Sequence, residues 1–176
     1  MNFLEKENIL SEEQNGFRRF RSCLGHIYTL CTILRNRKTL KLDTFLCFVD
    51  FSKALDSVDH TFLWHKLMAV GIHGRILKAM NNMYSGLKSC LRINDTFTDW
   101  FSIDKGVSQR DNLEPTLFAL FINDLVTEIN SLICGISVDD DFSLSTLLYA
   151  DDIVFLASTA GDIKQLVNKM GLKCEH

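Results

Sequence analysis

Residues 147–156, LLYADDIVFL, contain the clearest structural signal in the chain. Two runs of apolar and β-branched side chains flank the adjacent aspartates Asp151 and Asp152, which is typical of a half-buried hairpin interrupted by an acidic pair. Isolated carboxylates in such a place are costly to desolvate, and two neighbouring ones repel each other. The pair alone leaves two alternatives open: an ordinary turn, in which aspartate is common, or a site for a divalent cation.

A further aspartate, Asp50, lies within a second apolar run, FVDF at residues 48–51. On its own, Asp50 could also be the N-cap of a helix. If tertiary structure unites it with Asp151, the two side chains could hold two magnesium ions, which keep positions open for phosphate oxygens and water. Such a pair of strand-end aspartates supports in-line phosphoryl or nucleotidyl transfer.

Outside these segments, helical and strand-like patterns alternate along the chain. We predict helices at residues 24–34, 59–70, 73–84, 117–129 and 162–170, and strands at 44–51, 89–93 and 96–103. The first of these strands is expected to be buried, and the helix at 59–70 places Phe62, Leu63, Leu67 and Val70 on one face. Asn94–Asp95 is a natural hairpin turn. The pattern predicts an α+β fold with helices packed on a largely antiparallel sheet.

Composition excludes several classes of protein. The chain has 176 residues, 47% apolar and 23% charged, with one proline, which excludes a disordered or low-complexity chain. A net charge of −3 argues against a complete nucleic-acid-binding protein, although not against a fragment whose basic parts lie elsewhere. The six scattered cysteines, and the lack of a signal-peptide pattern or membrane span, predict an intracellular protein with reduced thiols that is neither secreted nor membrane-bound. The sequence does not distinguish nucleus from cytoplasm.

Four ordered segments carry a family resemblance. FVDFSKALDSVDH at 48–60, GVSQRDNLEPTLFALFINDL at 106–125 and LLYADDIVFLA at 147–157 resemble the successive palm motifs of reverse transcriptases. EEQNGFRRFRSC at 12–23 resembles the family's segment just ahead of the palm. The closest resemblance is to the reverse transcriptases of LINE-type (non-LTR) retrotransposons, and it covers almost the whole chain.

The resemblance implies a polymerase palm, in which an antiparallel sheet has helices packed on one face. Residues 1–43 would be the remnant of a truncated fingers region, and residues 44–176 would be the palm. No thumb would be present, so the missing fingers and thumb regions would have to come from a longer chain. The implied reaction is RNA-directed DNA polymerisation, with an RNA template, a DNA primer and a deoxynucleoside triphosphate as partners.

The resemblance also implies the metal site. Asp50 and Asp151 match the two metal-binding aspartates of the family, with the backbone carbonyl of Phe51 as an extra ligand. Asp152 matches the third aspartate of the catalytic triad. The implied cofactor is Mg²⁺, as two ions, and Mn²⁺ is a possible substitute.

Other matched positions imply contacts with nucleotide and nucleic acid. Tyr149 matches the tyrosine near the primer end, and Gln109 matches the glutamine that lines the template and nucleotide pocket. Leu55 stands where an aromatic side chain normally excludes the ribose 2′-hydroxyl, and Arg110 replaces the family's usual glycine. Three early arginines are expected to contact the nucleic-acid backbone: Arg18, Arg19 and Arg21.

Two other functions remain as alternatives. The substitutions at Leu55 and Arg110 favour a catalytically inactive retrotransposon remnant that keeps the fold and at most binds metal or nucleic acid. A phosphoacceptor resembling response regulators would also need an acidic Mg²⁺ pocket, but its acidic residues would come in the opposite order along the chain.

Overall fold

The computed structural model describes residues 2–103, 105–107, 113–132, 134–139 and 142–174, so Gln109 and Arg110 lie outside the described residues. The α-helices are α1 (Asn2–Lys6), α2 (Cys23–Thr39), α3 (His60–Ala69), α4 (Gly74–Tyr84), α5 (Glu114–Asn130) and α6 (Ala160–Cys174), with a 3₁₀ turn at Leu55–Ser57. The strands are β1 (Phe45–Val49), β2 (Lys88–Ser89), β3 (Arg92–Ile93), β4 (Thr96–Phe97), β5 (Phe101–Ser102), β6 (Ile136–Ser137), β7 (Ser143–Leu144), β8 (Thr146–Tyr149) and β9 (Asp152–Ala157).

The chain forms two compact units. One unit joins residues 1–52 to residues 122–176, and the other comprises residues 53–121. These boundaries differ from the expected division at residue 43, and the assignment of residues 1–43 to fingers and 44–176 to palm stays a prediction. Within the described part of the chain, no helix is long and apolar enough to cross a bilayer.

The central sheet of the first unit has the order β1–β9–β8, and all its strands are antiparallel. The register pairs Val49 with Ile153 and Tyr149 with Asp152. The predicted hairpin is therefore confirmed, and its reversal falls at Ala150 and Asp151. Because directly opposed residues share a face of the sheet, the register fixes the face on which the side chain of Asp152 lies.

The two faces of this sheet are covered differently. Leu148, Ile153 and Phe155 share one face and are almost completely buried. On the other face, Ile33 of α2 packs in a cluster with Leu147 and Leu156. Helix α2 therefore packs on this second face of the sheet.

The second unit confirms several local predictions. Asp59 caps α3 by accepting a hydrogen bond from the Phe62 N–H at 3.0 Å, and Gly71 follows the helix with a φ of +88°. Asn94 and Asp95 both have positive φ between β3 and β4, as a type I′ hairpin turn requires. The helix predicted at 59–70 and the turn predicted at Asn94–Asp95 are therefore confirmed.

The prediction that the strand at residues 44–51 is buried was wrong. That strand is β1, only Phe45–Val49, and Phe48 is 68% exposed. On α3, Phe62 is 42% exposed, whereas Lys66 is buried. The Lys66 ammonium donates to the carbonyl oxygen of Leu120 at 3.1 Å and lies 5.2 Å from the Phe62 ring centre, which compensates its burial.

The cysteines with described side chains are free thiols, consistent with the expected reduced state. Four of them are exposed or half-buried, and Cys134 is buried. Burial raises the pKa of the Cys134 thiol, and the neighbouring Asp162 carboxylate acts in the same direction. The protonated thiol lies 3.8 Å from Asp162 Oδ1.

Candidate active site

A cavity of about 330 Å³ lies where the central sheet ends at the acidic turn. Residues of α2 form one wall, and the ends of β1, β8 and β9 form the other. Most of its lining is apolar, but Asp50, Tyr149 and Asp152 are also among the lining residues. An apolar cavity with a few convergent polar groups is the usual form of a ligand site.

The structure brings Asp50 and Asp152 together in this cavity. The β1–β9 ladder ends at the Val49–Ile153 pair, so Asp50 and Asp152 are the next residues along the two strands. Both are exposed, while Asp151 is half-buried in the turn and is absent from the cavity lining. Asp152, rather than Asp151, is therefore the nearest counterpart of Asp50 across the sheet.

The three carboxylates have no ion-pair partner among the described residues. Within the same ranges, no three side chains of histidine, cysteine, aspartate or glutamate gather into a group that could hold a metal ion. The structure thus places Asp50 and Asp152 at the edge of one cavity, with Asp151 in the adjoining turn. The predicted use of Asp50, Asp151 and the Phe51 carbonyl as metal ligands stays a prediction.

The turn itself contains a strained residue. Ala150 has a φ of +59°, in the left-handed region that residues with a Cβ atom rarely adopt. Residues in such conformations persist when their surroundings fix them, and they concentrate at functional sites. The strain lies directly before Asp151.

The side chain of Gln14 fixes this turn. Its Oε1 accepts hydrogen bonds from the Ala150 N–H at 3.1 Å and the Gly16 N–H at 2.7 Å, and its Nε2 donates to the Ala150 carbonyl at 3.3 Å. Gln14 is only 1% exposed. A Cβ atom at Gly16 would lie 2.2 Å from the Ala150 nitrogen, so only glycine lets the two backbones approach this closely.

A second layer of hydrogen bonds fixes the residue at the end of β8. The Leu148 carbonyl accepts from the Asn15 N–H at 2.9 Å, and the Leu148 N–H donates to the Glu13 carbonyl at 2.9 Å. His26 Nε2 lies 2.8 Å from the Leu148 carbonyl and 3.0 Å from that of Glu13, so this nitrogen carries a proton. Residues 13–16, here called the Gln14 segment, therefore run beside β8 and hold its end.

Gln14, Gly16 and His26 contribute to the site although none of them was predicted to do so. The first two lie in the EEQNGFRRFRSC segment, which was singled out only as a whole. A glycine two residues after a glutamine in an otherwise charged run was the available signal. Nothing in the local pattern connects these residues to a turn more than a hundred residues later.

Two of the three predicted nucleic-acid-binding arginines have partners within the chain. Arg18 donates to the Ser11 carbonyl at 2.8 Å, and Arg21 pairs with Glu12 and donates to Asn15 Oδ1 at 3.3 Å. The hydrogen bond from Arg21 lowers the pKa of the Glu12 carboxyl. Arg18 and Arg21 thus support the Gln14 segment, whereas Arg19 is exposed.

The second unit holds the other predicted site residues. Leu55 is half-buried, and its carbonyl accepts the Val107 N–H at 2.9 Å. The Gly106 N–H donates to the Val58 carbonyl at 2.8 Å, and His60 Nε2 lies 2.6 Å from the Gly106 carbonyl. These bonds bring Leu55 beside the segment that leads toward Gln109, although Gln109 lies outside the described residues.

Comparisons with known proteins agree with these motifs. The family described as reverse transcriptase (RNA-dependent DNA polymerase) matches residues 1–175. The Retrovirus-related Pol polyprotein from type-2 retrotransposable element R2DM of Drosophila melanogaster is 28% identical over 156 residues, which cover 89% of this chain and 15% of that protein. The uncharacterized 149 kDa protein of transposon TX1 from Xenopus laevis is 23% identical over 146 residues, covering 82% of this chain and 11% of that protein.

The fold has a counterpart among solved structures. Apo telomerase from Candida tropicalis, truncated from its C-terminal domain, matches with a TM-score of 0.67 and 14% identity over 97% of this chain and 34% of that one. This likeness confirms the α+β fold with a palm-like antiparallel sheet. The retrotransposon relatives confirm the resemblance to LINE-type proteins that the four segments predicted. The chain therefore belongs to the reverse transcriptase (RNA-dependent DNA polymerase) family.

Proposed function

We propose that this chain is the palm-centred part of an RNA-directed DNA polymerase, which joins a deoxynucleoside triphosphate to a primer 3′-hydroxyl. The observation that carries the proposal is the pair of carboxylates, Asp50 and Asp152, lining one cavity at the end of the sheet. The chain spans 15% of its Drosophila relative, so its activity and its partners are part of the proposal. Those partners are an RNA template, a DNA primer and the nucleotide.

The donor set fits magnesium. Mg²⁺ prefers oxygen ligands and is usually bound through one or two carboxylates. Asp50, Asp151 and the Phe51 carbonyl would hold two ions, with Asp152 as the third acidic residue. Asp50 is exposed and Asp151 half-buried, and neither has an ion-pair partner among the described residues, which supports this assignment. When bound, the metal would supply electrostatic stabilisation of the charge around the reacting phosphorus.

The remaining assigned residues would position the reactants. Tyr149 is 37% exposed at the cavity and would lie near the primer end. Leu55 would occupy the sugar-selecting position, where its smaller side chain would reject ribonucleotides less strongly than an aromatic ring. Gln109 and Arg110 would face the nucleotide and template, and Arg19 is the exposed cation available for the phosphate backbone.

Primer extension on an RNA template with Mg²⁺ tests the proposal. We expect the chain to incorporate deoxynucleotides and expect Asp50→Asn and Asp151→Asn to reduce incorporation by about a thousandfold or more, because they remove charge from the metal site. Asp99→Asn is the matched control, since it removes the same charge from an exposed position in the other unit. Extension that survives both site substitutions would contradict the assignment.

The inactive remnant is a second candidate, and the specific observations that favour it are Leu55 and Arg110. Binding of Mn²⁺, measured by electron paramagnetic resonance, separates the two candidates because it does not require turnover. Mn²⁺ binding that Asp50→Asn abolishes, without any incorporation, would favour the remnant. Absence of both binding and incorporation would contradict the metal site itself.

A further inference from the structure

We propose that Gln14 is a positioning residue for the acidic turn: its amide fixes the Ala150 peptide and thereby sets the orientation of Asp151 and Asp152. The inference rests on the proposed function, because it concerns the site that would hold the metal ions. Gln14 itself does not line the cavity, so its contribution would act through the turn rather than through contact with a reactant.

The hydrogen-bond pattern of Gln14 is directed at one residue. Ala150 donates its N–H to Oε1 at 3.1 Å and accepts from Nε2 at 3.3 Å, so a single side chain binds both polar groups of its backbone. The Gly16 N–H, at 2.7 Å from the same oxygen, fixes the amide in return. A buried amide with partners on both sides has little freedom to reorient.

The conformation of Ala150 explains why such support is needed. An alanine with a φ of +59° is disfavoured relative to its extended or helical forms. Released from Gln14, the turn could relax toward an ordinary conformation, and the two aspartates that follow would turn with it. The amide therefore selects the strained conformer that directs Asp152 into the cavity.

Gly16 makes this support possible. The 2.2 Å gap between a Cβ atom at Gly16 and the Ala150 nitrogen leaves no room for a side chain, so the segment and the turn meet backbone to backbone. The hydrogen bonds of Asn15 and His26 to the carbonyl of Leu148 hold strand β8 two residues before Ala150. The Gln14 segment thus binds Leu148 and Ala150, the residues on both sides of Tyr149.

Amide hydrogen exchange at Ala150, followed by NMR on the full chain, tests the inference without requiring turnover. We expect Gln14→Leu to accelerate exchange at Ala150 by about tenfold, the effect of losing one net hydrogen bond, while exchange in α6 stays unchanged. If Gln14→Leu does not fold, Gln14→Asn carries the same test, because its shorter side chain cannot reach Ala150.

Kinetics distinguish positioning from general stabilisation. We expect Gln14→Leu to lower kcat by about tenfold and to leave KM for the nucleotide within about twofold, since Gln14 does not line the cavity. Gly25→Ala, whose added methyl group would meet its nearest neighbour at 3.7 Å, is the control that should change neither quantity.

The outcomes separate this inference from the proposed function. Unchanged exchange at Ala150 in Gln14→Leu would overturn the positioning role, whatever the activity. Exchange that accelerates only at Ala150 in a chain that never incorporates nucleotides would support the role of Gln14 in the turn and contradict the polymerase proposal. A fall in kcat with accelerated exchange supports both.

Discussion

The acidic turn of the first unit and residues 105–107 of the second are both held by chain that is distant in sequence, but by different groups. At the turn, the Gln14 side chain binds both backbone groups of Ala150. In the second unit, the corresponding hydrogen bonds join main chain to main chain. Gly106 and Val107 donate their N–H groups to the carbonyls of Val58 and Leu55. Each contact also contains a glycine and a histidine whose Nε2 meets a backbone carbonyl.

The two contacts should therefore differ in which substitutions they tolerate. Main-chain hydrogen bonds do not depend on side-chain identity, so most substitutions at Leu55 or Val58 leave them intact. A side-chain amide is lost with a single substitution, and the turn it supports is strained. We therefore expect the first unit to depend on a specific residue type at Gln14, whereas the second depends mainly on Gly106.

The largest expected effect is at Gly16. Gly16→Ala would place a methyl group 2.2 Å from the Ala150 nitrogen, so one backbone must move. We expect the free energy of unfolding, measured with urea, to fall by about 3 kcal/mol. Gly25→Ala is the control; in helix α2 it should be neutral or stabilising by up to about 1 kcal/mol. Equal effects of the two substitutions would show that the close contact is not rigid.

Gly106 offers the corresponding test in the second unit. Its φ is +92°, and an added Cβ would lie 2.9 Å from the Asp56 Cα atom, so Gly106→Ala combines backbone strain with a collision. We expect a loss of about 2 kcal/mol in urea unfolding. Gly86→Ala has a φ of +70° but no atom within 4 Å of its Cβ, and should cost only the strain of about 1 kcal/mol. A loss no larger than that of Gly86→Ala would exclude the collision.

His60 tests the side-chain part of the contact in the second unit. His60→Phe keeps a ring beside Tyr84, at present 5.3 Å away, but removes the hydrogen bond to the Gly106 carbonyl. We expect a loss of about 1 kcal/mol in urea unfolding. His65→Phe, on an exposed position of the same helix, should stay within about 0.5 kcal/mol of the original chain. If both variants match the original chain, the main-chain bonds suffice to hold Gly106.

The smallest effect concerns pH and the support of the Gln14 segment. The Arg21 hydrogen bond lowers the pKa of Glu12 from 4.5, so Glu12 stabilises the fold above that pH and loses this contribution as pH falls through its lowered pKa. Because the Glu12 side chain is 73% exposed, we expect only about 0.5 kcal/mol or less.

Comparison with Glu12→Gln measures this contribution. The difference in unfolding free energy between the two chains should be present at neutral pH and disappear as pH falls through the lowered pKa of Glu12. A difference that persists at the lower pH would contradict the assigned cause. Glu7→Gln, at an exposed residue nearby in the sequence, serves as the charge-matched control.

Local signals predicted much of the fold because they act within a few residues. The cap at Asp59, the end of α3 at Gly71 and the turn at Asn94–Asp95 each depend on backbone chemistry close in sequence. Burial was harder to predict, because the exposure of Phe48 and the burial of Lys66 depend on which element packs above them. Apolarity alone could not supply that information.

The candidate site, too, could be predicted only where its signals are local in sequence. The acidic residues could be recognised from the contrast between two aspartates and their apolar surroundings. The structure adds that Asp50 and Asp152 line the same cavity, a consequence of strand register that composition does not reveal. Gln14 resembled an ordinary surface residue, because its partner Ala150 lies 136 residues away and carries no side-chain signal.

The parallel pairing of Gln14 with Leu148 has a practical consequence for anyone shortening this protein. The Gln14 segment shields the outer rim of β8, whose backbone N–H and carbonyl groups would otherwise be open to other molecules. A version trimmed to start at residue 44 would uncover that rim, and we expect it to associate with itself. Boundaries for expression should therefore keep the first sixteen residues attached.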